Sequence, residues 1–456
     1  MSYLLNPADA GTTTPLIIVH SAHYVAWLER ADARIRSWLT ATDFRAARHS
    51  HALLPAADGG IEAVLVGVSD ANDPYALAHL PLNLPMGDYA LASHHDSLAP
   101  YAAALSWGLG CYQFTRYKKA SRASARLVIT PDEAVKRAEQ VCAAITLVRD
   151  LVNTPTEDMG PQHLAAAAKA LADEQGARFQ EWVGDDLLAH NFPAIHAVGR
   201  ASHRPPRLIE LQWGDPTHPR IALVGKGVCF DTGGLDMKSA DGMRHMKKDM
   251  GGAAHALAMA QLIMALKLPV YLHVLIPAVE NAISGNAYRP GEIVATRKGL
   301  TIEIGNTDAE GRVILSDALA LAAEAKPALL IDFATLTGAA RTALGPELPA
   351  TFANDDDWYQ ALEAASRATH DPLWRMPLWQ NYNEMIKSSI ADLVNTGGVP
   401  AGAVTAALFL QHFIPKEQAW IHIDLFAWNP KSRPGRPEGG EAHTLRAVLA
   451  MLEARF

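Results

Sequence analysis

The stretch Asn306-Thr307-Asp308-Ala309-Glu310-Gly311-Arg312 constrains this chain of 456 residues more than any other segment. Two carboxylates flank one small residue, a glycine follows, and an arginine closes the run. In an extended segment Asp308 and Glu310 project to the same side, because side chains alternate along a strand. Like charges held that close repel unless a cation lies between them, so the pattern asks for a metal. An isolated acidic pair is ordinarily a solvated loop, so this reading requires a second half elsewhere.

That half lies upstream, in Val224-Gly225-Lys226-Gly227-Val228-Cys229-Phe230-Asp231-Thr232-Gly233-Gly234-Leu235-Asp236-Met237-Lys238 and in Met246-Lys247-Lys248-Asp249-Met250-Gly251-Gly252. Ile221 to Val224 reads as a short buried strand, and the glycines after it permit tight turns. From Gly252 to Leu266 the pattern is helical and rich in Ala, Leu and Met, which places Asp249 just before a helix N-terminus. Asp231 and Asp249 bring the carboxylates to four. Gathered at one site, they need compensation of about +4, which two divalent metals supply.

These motifs, together with Arg149 to Pro155, Ala278 to Gly291 and Ala334-Thr335-Leu336-Thr337-Gly338-Ala339, resemble those of the leucyl (cytosol) aminopeptidase family of two-metal exopeptidases. The resemblance covers roughly 149–424. It implies an α/β fold: a smaller N-terminal α/β domain related to macro domains, then a larger catalytic domain. It implies Lys226, Asp231, Asp249, Asp308 and Glu310 as metal ligands for two ions (Zn²⁺ or Mn²⁺, or Mg²⁺), with Asp231 and Glu310 bridging them. Lys238 is then the cation that polarises the scissile carbonyl, and Arg312 holds a bicarbonate ion serving as general base. Met246, Asn306, Ala309, Thr335 and Gly338 are implied as the substrate pocket. Hydrolysis of the N-terminal residue from peptides, leucine-like residues preferred, and a homo-hexamer of two trimers follow from the same resemblance.

Each residue also has a plainer reading. Lys226 has no lone pair as an ammonium, so a salt bridge to an aspartate competes with ligation unless its pKa falls far. Lys238 competes with a surface lysine, which is what Lys247 and Lys248 are expected to be. Arg312 competes with a buried salt bridge to one of the carboxylates, and the pocket residues with ordinary packing and turns.

Alternating helices and apolar strand candidates, Arg220 to Val224, Val270 to Ile276, Ala328 to Phe333 and Trp420 to Ile423, predict a largely parallel or mixed sheet sandwiched between helices from residue 156 to 456. Residues 1–130 read as an N-terminal α/β domain, with strands at Leu16 to Val19, Ala63 to Val68 and Ala125 to Ile129 and a helix at Ala31 to Leu39. Between the two domains, 131–155 reads as a linker helix capped by Thr130, with Pro131 in its first turn and Glu133 completing a capping box. Asn429 to Glu441, rich in Pro, Gly and charge, reads as a surface loop.

The net charge of −8 offers no general attraction for nucleic acid or anionic membranes. Cys111, Cys142 and Cys229 are too few for a disulfide framework and fit a reducing cytoplasm. The N-terminus lacks a signal-peptide pattern, and Ala254 to Val279 is interrupted by polar residues and Pro269, against a membrane span. Asp231-Thr232-Gly233 matches the aspartic-protease triplet but has no second copy, Gly225-Lys226-Gly227 lacks the Ser or Thr of a P-loop, and no His-Glu-x-x-His occurs.

The alternative function is a nucleotide- or nucleic-acid-binding protein with a vestigial peptidase site, which the acidic balance argues against. His94-His95-Asp96 is a candidate metal cluster there, with a solvated loop the better reading. Three departures from the family pattern stand out. Cys229 occupies a usual threonine position, and Asp236 a small hydroxyl position, where its charge is expected to act on Lys238 or on substrate preference. The bulky Phe426-Ala427-Trp428-Asn429 follows the last strand, where small residues are usual near the side-chain pocket.

Overall fold

The computed structural model describes residues 3–92 and 96–456, so the His94-His95 pair lies outside the described residues. The chain forms two compact units, 1–146 with 431–438, and 147–430 with 439–456.

In the first unit a six-stranded sheet runs in the order Leu4–Leu5, Arg126–Val128, Asp88–Leu91, Thr14–His20, Ile61–Val68, Ser50–Pro55. Its pairings are parallel except for the edge strand Ser50–Pro55, which is antiparallel to its neighbour. The helix expected from Ala31 spans Ala33–Ala41, because Asp32 caps it by accepting the Ile35 N–H. Asp96 accepts the His20 N–H at 2.8 Å and pairs with His23 Nδ1 at 2.8 Å. The long helix Glu133–Asn153 is capped by Asp132, whose Oδ1 accepts the Val135 N–H at 2.8 Å. That corrects the expected Thr130 cap: the carboxylate closer to the first turn takes the orphan donor.

The second unit is built on a nine-stranded mixed sheet. At its centre Tyr271–Asn281, Arg220–Gly225, Leu329–Ala334 and Trp420–Asp424 run parallel to one another. Arg207–Trp213 and Arg178–Val183 continue one edge antiparallel, Ala350–Ala353 flanks the other, and Gly227–Asp231 pairs in parallel with the far end of Tyr271–Asn281. One helix layer contains Pro161–Gln175, Gly251–Ala265 and Leu445–Arg455; the other contains Pro193–Gly199, Glu310–Glu324 and Gly402–Gln411. The sheet is thus sandwiched, and its apolar strands are buried on both faces, as central parallel strands must be.

Close packing of one helix depends on glycine. A Cβ on Gly252 would lie 2.1 Å from the Phe333 carbonyl oxygen, so Gly251–Ala265 reaches its strand only with hydrogen there. The expected surface loop at Asn429 to Glu441 is not one at its ends. Trp428–Asn429 pairs with Gly439–Gly440, and buried Glu441 meets buried Arg149 at 3.0 Å. A charge-rich composition hid a desolvated ion pair, since either partner alone would have been left in water.

Candidate active site

Lys226 follows the Arg220–Gly225 strand, Asp231 ends Gly227–Asp231, Thr335 follows Leu329–Ala334, and Asp424 ends Trp420–Asp424. All lie at the carboxyl ends of parallel strands, where such sheets open a crevice. There a cavity of about 610 Å³ is lined by Lys226, Asp231, Lys238, Asp249, Asp308 and Glu310, with Met246, Thr335 and Gly338 further round the wall. Asn306 and Ala309 are not part of this lining, nor is Arg312.

The signature segment is not extended. The Asp308 N–H donates to Asn306 Oδ1 at 2.7 Å, the Ala309 N–H to the Asn306 carbonyl at 3.2 Å, and Glu310 opens the helix Glu310–Glu324. Asp308 and Glu310 therefore converge because the chain turns between them, not because strand side chains alternate. Asn306 spends its side chain on this turn. Gly311 is required by the fit: a Cβ there would stand 2.6 Å from Lys226 Cε.

One oxygen from each of Asp231, Asp308 and Glu310 lies within 4.8 Å of the others. Lys226 Nζ stands 2.7 Å from Asp249 Oδ2 and 2.9 Å from Glu310 Oε1, and donates to the Thr335 carbonyl at 3.0 Å. Lys238 Nζ is 2.8 Å from Asp231 Oδ2 and in contact with Asp308 Oδ1. Thr335 Oγ1 donates to Asp249 Oδ1 at 2.8 Å. The four converging carboxylates thus meet two lysine ammoniums at close range. Desolvated carboxylates in excess of their close counter-charges are costly unless further cations meet them.

The electrostatics point the same way. Burial, then the neighbouring Asp231, pushes Glu310 up to about 8 and Asp308 up to about 6. Burial also opposes the Asp249 charge, but Lys226 and Lys248 outweigh it and hold that carboxyl below its usual range. Burial works against the charges of Lys226 and Lys238, but the surrounding carboxylates together, Asp249 foremost for Lys226 and Asp231 for Lys238, outweigh it and keep both ammonium here. Arg312 is buried, its guanidinium pushed down to about 10 against the pull of Glu310 and Asp424, and its Nε finds no acceptor. Carboxylates, two lysines and no sulfur or imidazole form a hard donor set that suits Mg²⁺, Mn²⁺ or Zn²⁺.

Several residues that hold this geometry are not conspicuous in the sequence. Asn281 Nδ2 donates to Asp231 Oδ1 at 2.8 Å and to the Thr307 carbonyl at 3.0 Å, tying the two loops together. Asn395 Oδ1 accepts the N–H groups of Gly305 and Asn306, and its Nδ2 donates to the Asn306 carbonyl at 2.7 Å. Asp424 accepts from the N–H groups of Leu336 and Thr337 and from Thr337 Oγ1. Asn281 sits inside the Ala278 to Gly291 motif, which is the signal that could have found it. Asp236 braces the same loops: it accepts the Thr307 N–H at 2.7 Å while its own N–H donates to Thr307 Oγ1 at 2.8 Å. Lys248 is buried, against its expected surface position.

Residues 146–449 match the model of the cytosol aminopeptidase family, catalytic domain, and residues 14–130 match that of the M17 aminopeptidase, N-terminal domain. The chain is 45% identical over 324 residues to a probable cytosol aminopeptidase of Syntrophotalea carbinolica, covering 70% of this chain and 65% of that protein. It is 40% identical over 374 residues to one from Geobacter sulfurreducens, covering 78% and 75%. Cytosol aminopeptidase from Coxiella burnetii superposes with a TM-score of 0.95 at 49% identity, covering 100% of this chain and 99% of that one. The bottromycin maturation enzyme BotP in complex with Mn superposes at 0.87 with 31% identity, covering 98% and 100%. With matches to both domain models and to relatives across most of its length, the chain belongs to the cytosol aminopeptidase family, hydrolases of the leucyl aminopeptidase type.

Proposed function

We propose that this chain removes the N-terminal residue from peptides, using water activated by two divalent metal ions. The observation that carries this reading is the convergence of four carboxylates, Asp231, Asp249, Asp308 and Glu310, on one cavity where only Lys226 and Lys238 meet them at close range. Those four residues and Lys226 would hold the ions. Cations among the carboxylates would lower the lysine's pKa, which is what ligation by Lys226 requires. When bound, the metals supply a nucleophilic water at neutral pH and draw electron density from the scissile carbonyl.

The remaining work falls to side chains. The Lys238 ammonium, only partly covered, faces the cavity and holds negative charge developing on the carbonyl oxygen. Asp249, held by Thr335, suits the free α-amine, and that contact confines cleavage to the first peptide bond. The four converging carboxylates are then occupied by the ions. The resemblance suggests a bicarbonate anion held by Arg312 as the base, although Arg312 lies outside the cavity lining. The resemblance further suggests a homo-hexamer of two trimers, peptides as partners, and leucine-like residues as reference substrates. No helix among the described residues is long and apolar enough to cross a membrane.

The test is hydrolysis of a leucine chromogenic amide with added Mn²⁺ or Zn²⁺, with and without chelator. Turnover that appears with metal, disappears with chelator and falls at least ~10³-fold in Asp308→Ala supports the proposal. Absence of metal-dependent turnover, or full activity in Asp308→Ala, overturns it.

A further inference from the structure

The cavity wall beyond the carboxylates is cationic. Lys248 comes from the turn Met246–Met250, Arg341 from the helix Gly338–Leu344, and Phe426 from just past the Trp420–Asp424 strand. All three line the cavity. Lys248 Nζ lies 5.1 Å and the Arg341 guanidinium carbon 4.8 Å from the centroid of the Phe426 ring. One aromatic ring thus gathers two cations, each within the range of cation–π attraction.

Neither cation has a close carboxylate to itself among the described residues. Lys248 is only 5% exposed, and its ion-pair contact among the described residues is a long one, 3.7 Å to Asp249 Oδ1. Asp249 itself is shared with Lys226 and Thr335. Arg341 has no carboxylate within ion-pair distance among the described residues. A buried ammonium short of counter-charge and facing a cavity is an anion-recognition element, because a carboxylate entering there recovers solvation that the lysine has lost. Among the described residues, the other carboxylates on this wall, Asp424 and Asp241, are not within ion-pair distance of Lys248 or Arg341. Asp424 is committed to Leu336 and Thr337, and Asp241 lies among the lining residues on a separate short helix, Ala240–Met243.

We infer that Lys248 and Arg341, gathered by Phe426, recognise a carboxylate of the peptide substrate and determine specificity. This inference rests on the aminopeptidase reading above. A peptide offers the carboxylate from two sources, the side chain of an N-terminal Asp or Glu, or the α-carboxylate of a dipeptide. Phe426 fills space that a small residue would leave open, so a bulky aliphatic side chain gains less there than a short acidic one.

The experiment compares kcat/KM of the metal-loaded enzyme on glutamyl, aspartyl and leucyl p-nitroanilides, which lack an α-carboxylate, and on Leu-Gly against Leu-Gly amide. Wild type is set beside Arg341→Glu and Lys248→Met, and the affinity for free glutamate is read by calorimetry. Acidic anilides favoured over leucyl, with the ratio falling about tenfold or more in both variants and glutamate binding weakened in parallel, assigns the side-chain source. A charge-reversal effect confined to Leu-Gly against its amide assigns the α-carboxylate source. Metal-dependent turnover with both ratios unmoved by either variant overturns carboxylate recognition while leaving the aminopeptidase reading intact. Absence of turnover on every substrate overturns both.

Discussion

At the residue scale, the site is a set of charges that the protein balances only partly from its own resources. Gly311 shows how little room is left. A methyl group there meets the Lys226 side chain at 2.6 Å, so Gly311→Ala displaces the lysine without touching a carboxylate. We expect normal expression and a loss of activity of about 100-fold or more, with bound metal measured by atomic emission falling alongside. Asp236→Ala is a gentler test. It removes the acceptor of the Thr307 N–H, a contact linking residues 71 apart, at a cost of about 1–3 kcal/mol for the orphaned donor. The expected result is weaker metal affinity with a preserved circular dichroism spectrum; unchanged affinity would show that the remaining contacts, those of Asn281 and of Thr307 Oγ1, suffice to hold the two loops in register. The charges themselves are legible in the sequence, because several motifs carry them in an order that resembles one family's. Their supports are not. In the sequence Asp236 is a charge near Lys238, and only folding reveals its partner on a distant loop.

At the element scale, the helix Glu310–Glu324 ties the site to the scaffold. It begins with Glu310 and, two turns on, carries buried Asp317, whose carboxylate accepts N–H groups of Ala194, Ile195 and Arg297. Two of those donors open the helix Pro193–Gly199, so an interior residue of one helix caps another. Burial outweighs the donors and pushes this carboxyl up to about 7. The native state then holds a proton that the unfolded state releases between the ordinary carboxylate range and about pH 7. Its stabilising contribution is full below that range and is lost as pH rises through about 7. Thermal midpoints measured at pH 5 and pH 8 should therefore differ in this sense, and Asp317→Asn should flatten the difference. Asp317→Ala should lower the midpoint at both pH values, by the equivalent of roughly 2–4 kcal/mol, since it orphans three buried donors. Helix and strand positions are mostly readable from periodicity. The cap of Glu133–Asn153 is not, because Thr130 and Asp132 both carry a capping oxygen and only the path of the chain chooses between them.

At the scale of the whole molecule, the proposed metal site joins segments far apart in sequence, Lys226 to Asp249 on one side and Asp308 to Glu310 on the other. Cations that bind only the folded arrangement stabilise it by mass action, about 2.7 kcal/mol at a hundredfold excess over the dissociation constant. Differential scanning fluorimetry should show the midpoint rising with Mn²⁺ in wild type and standing still in Asp308→Ala. If the proposed hexamer forms, light scattering will give six times the 49.1 kDa chain mass; a monomer would refute it.

By itself the sequence determined the chemistry available: four carboxylates, two lysines and an arginine in motifs whose order identifies a metallopeptidase family. It also determined the alternation of helix and strand that yields a sandwiched sheet, because hydrophobic periodicity is local. Only the tertiary structure decided that Asp308 and Glu310 meet across a turn, that Asn281 and Asn395 brace them, and that Lys248 leaves the surface to share a cavity wall with Arg341 and Phe426. The turn rests on contacts of Asn306 with its near neighbours, the other outcomes on contacts between residues tens of positions apart, and burial, unlike charge, is a property that no single residue carries.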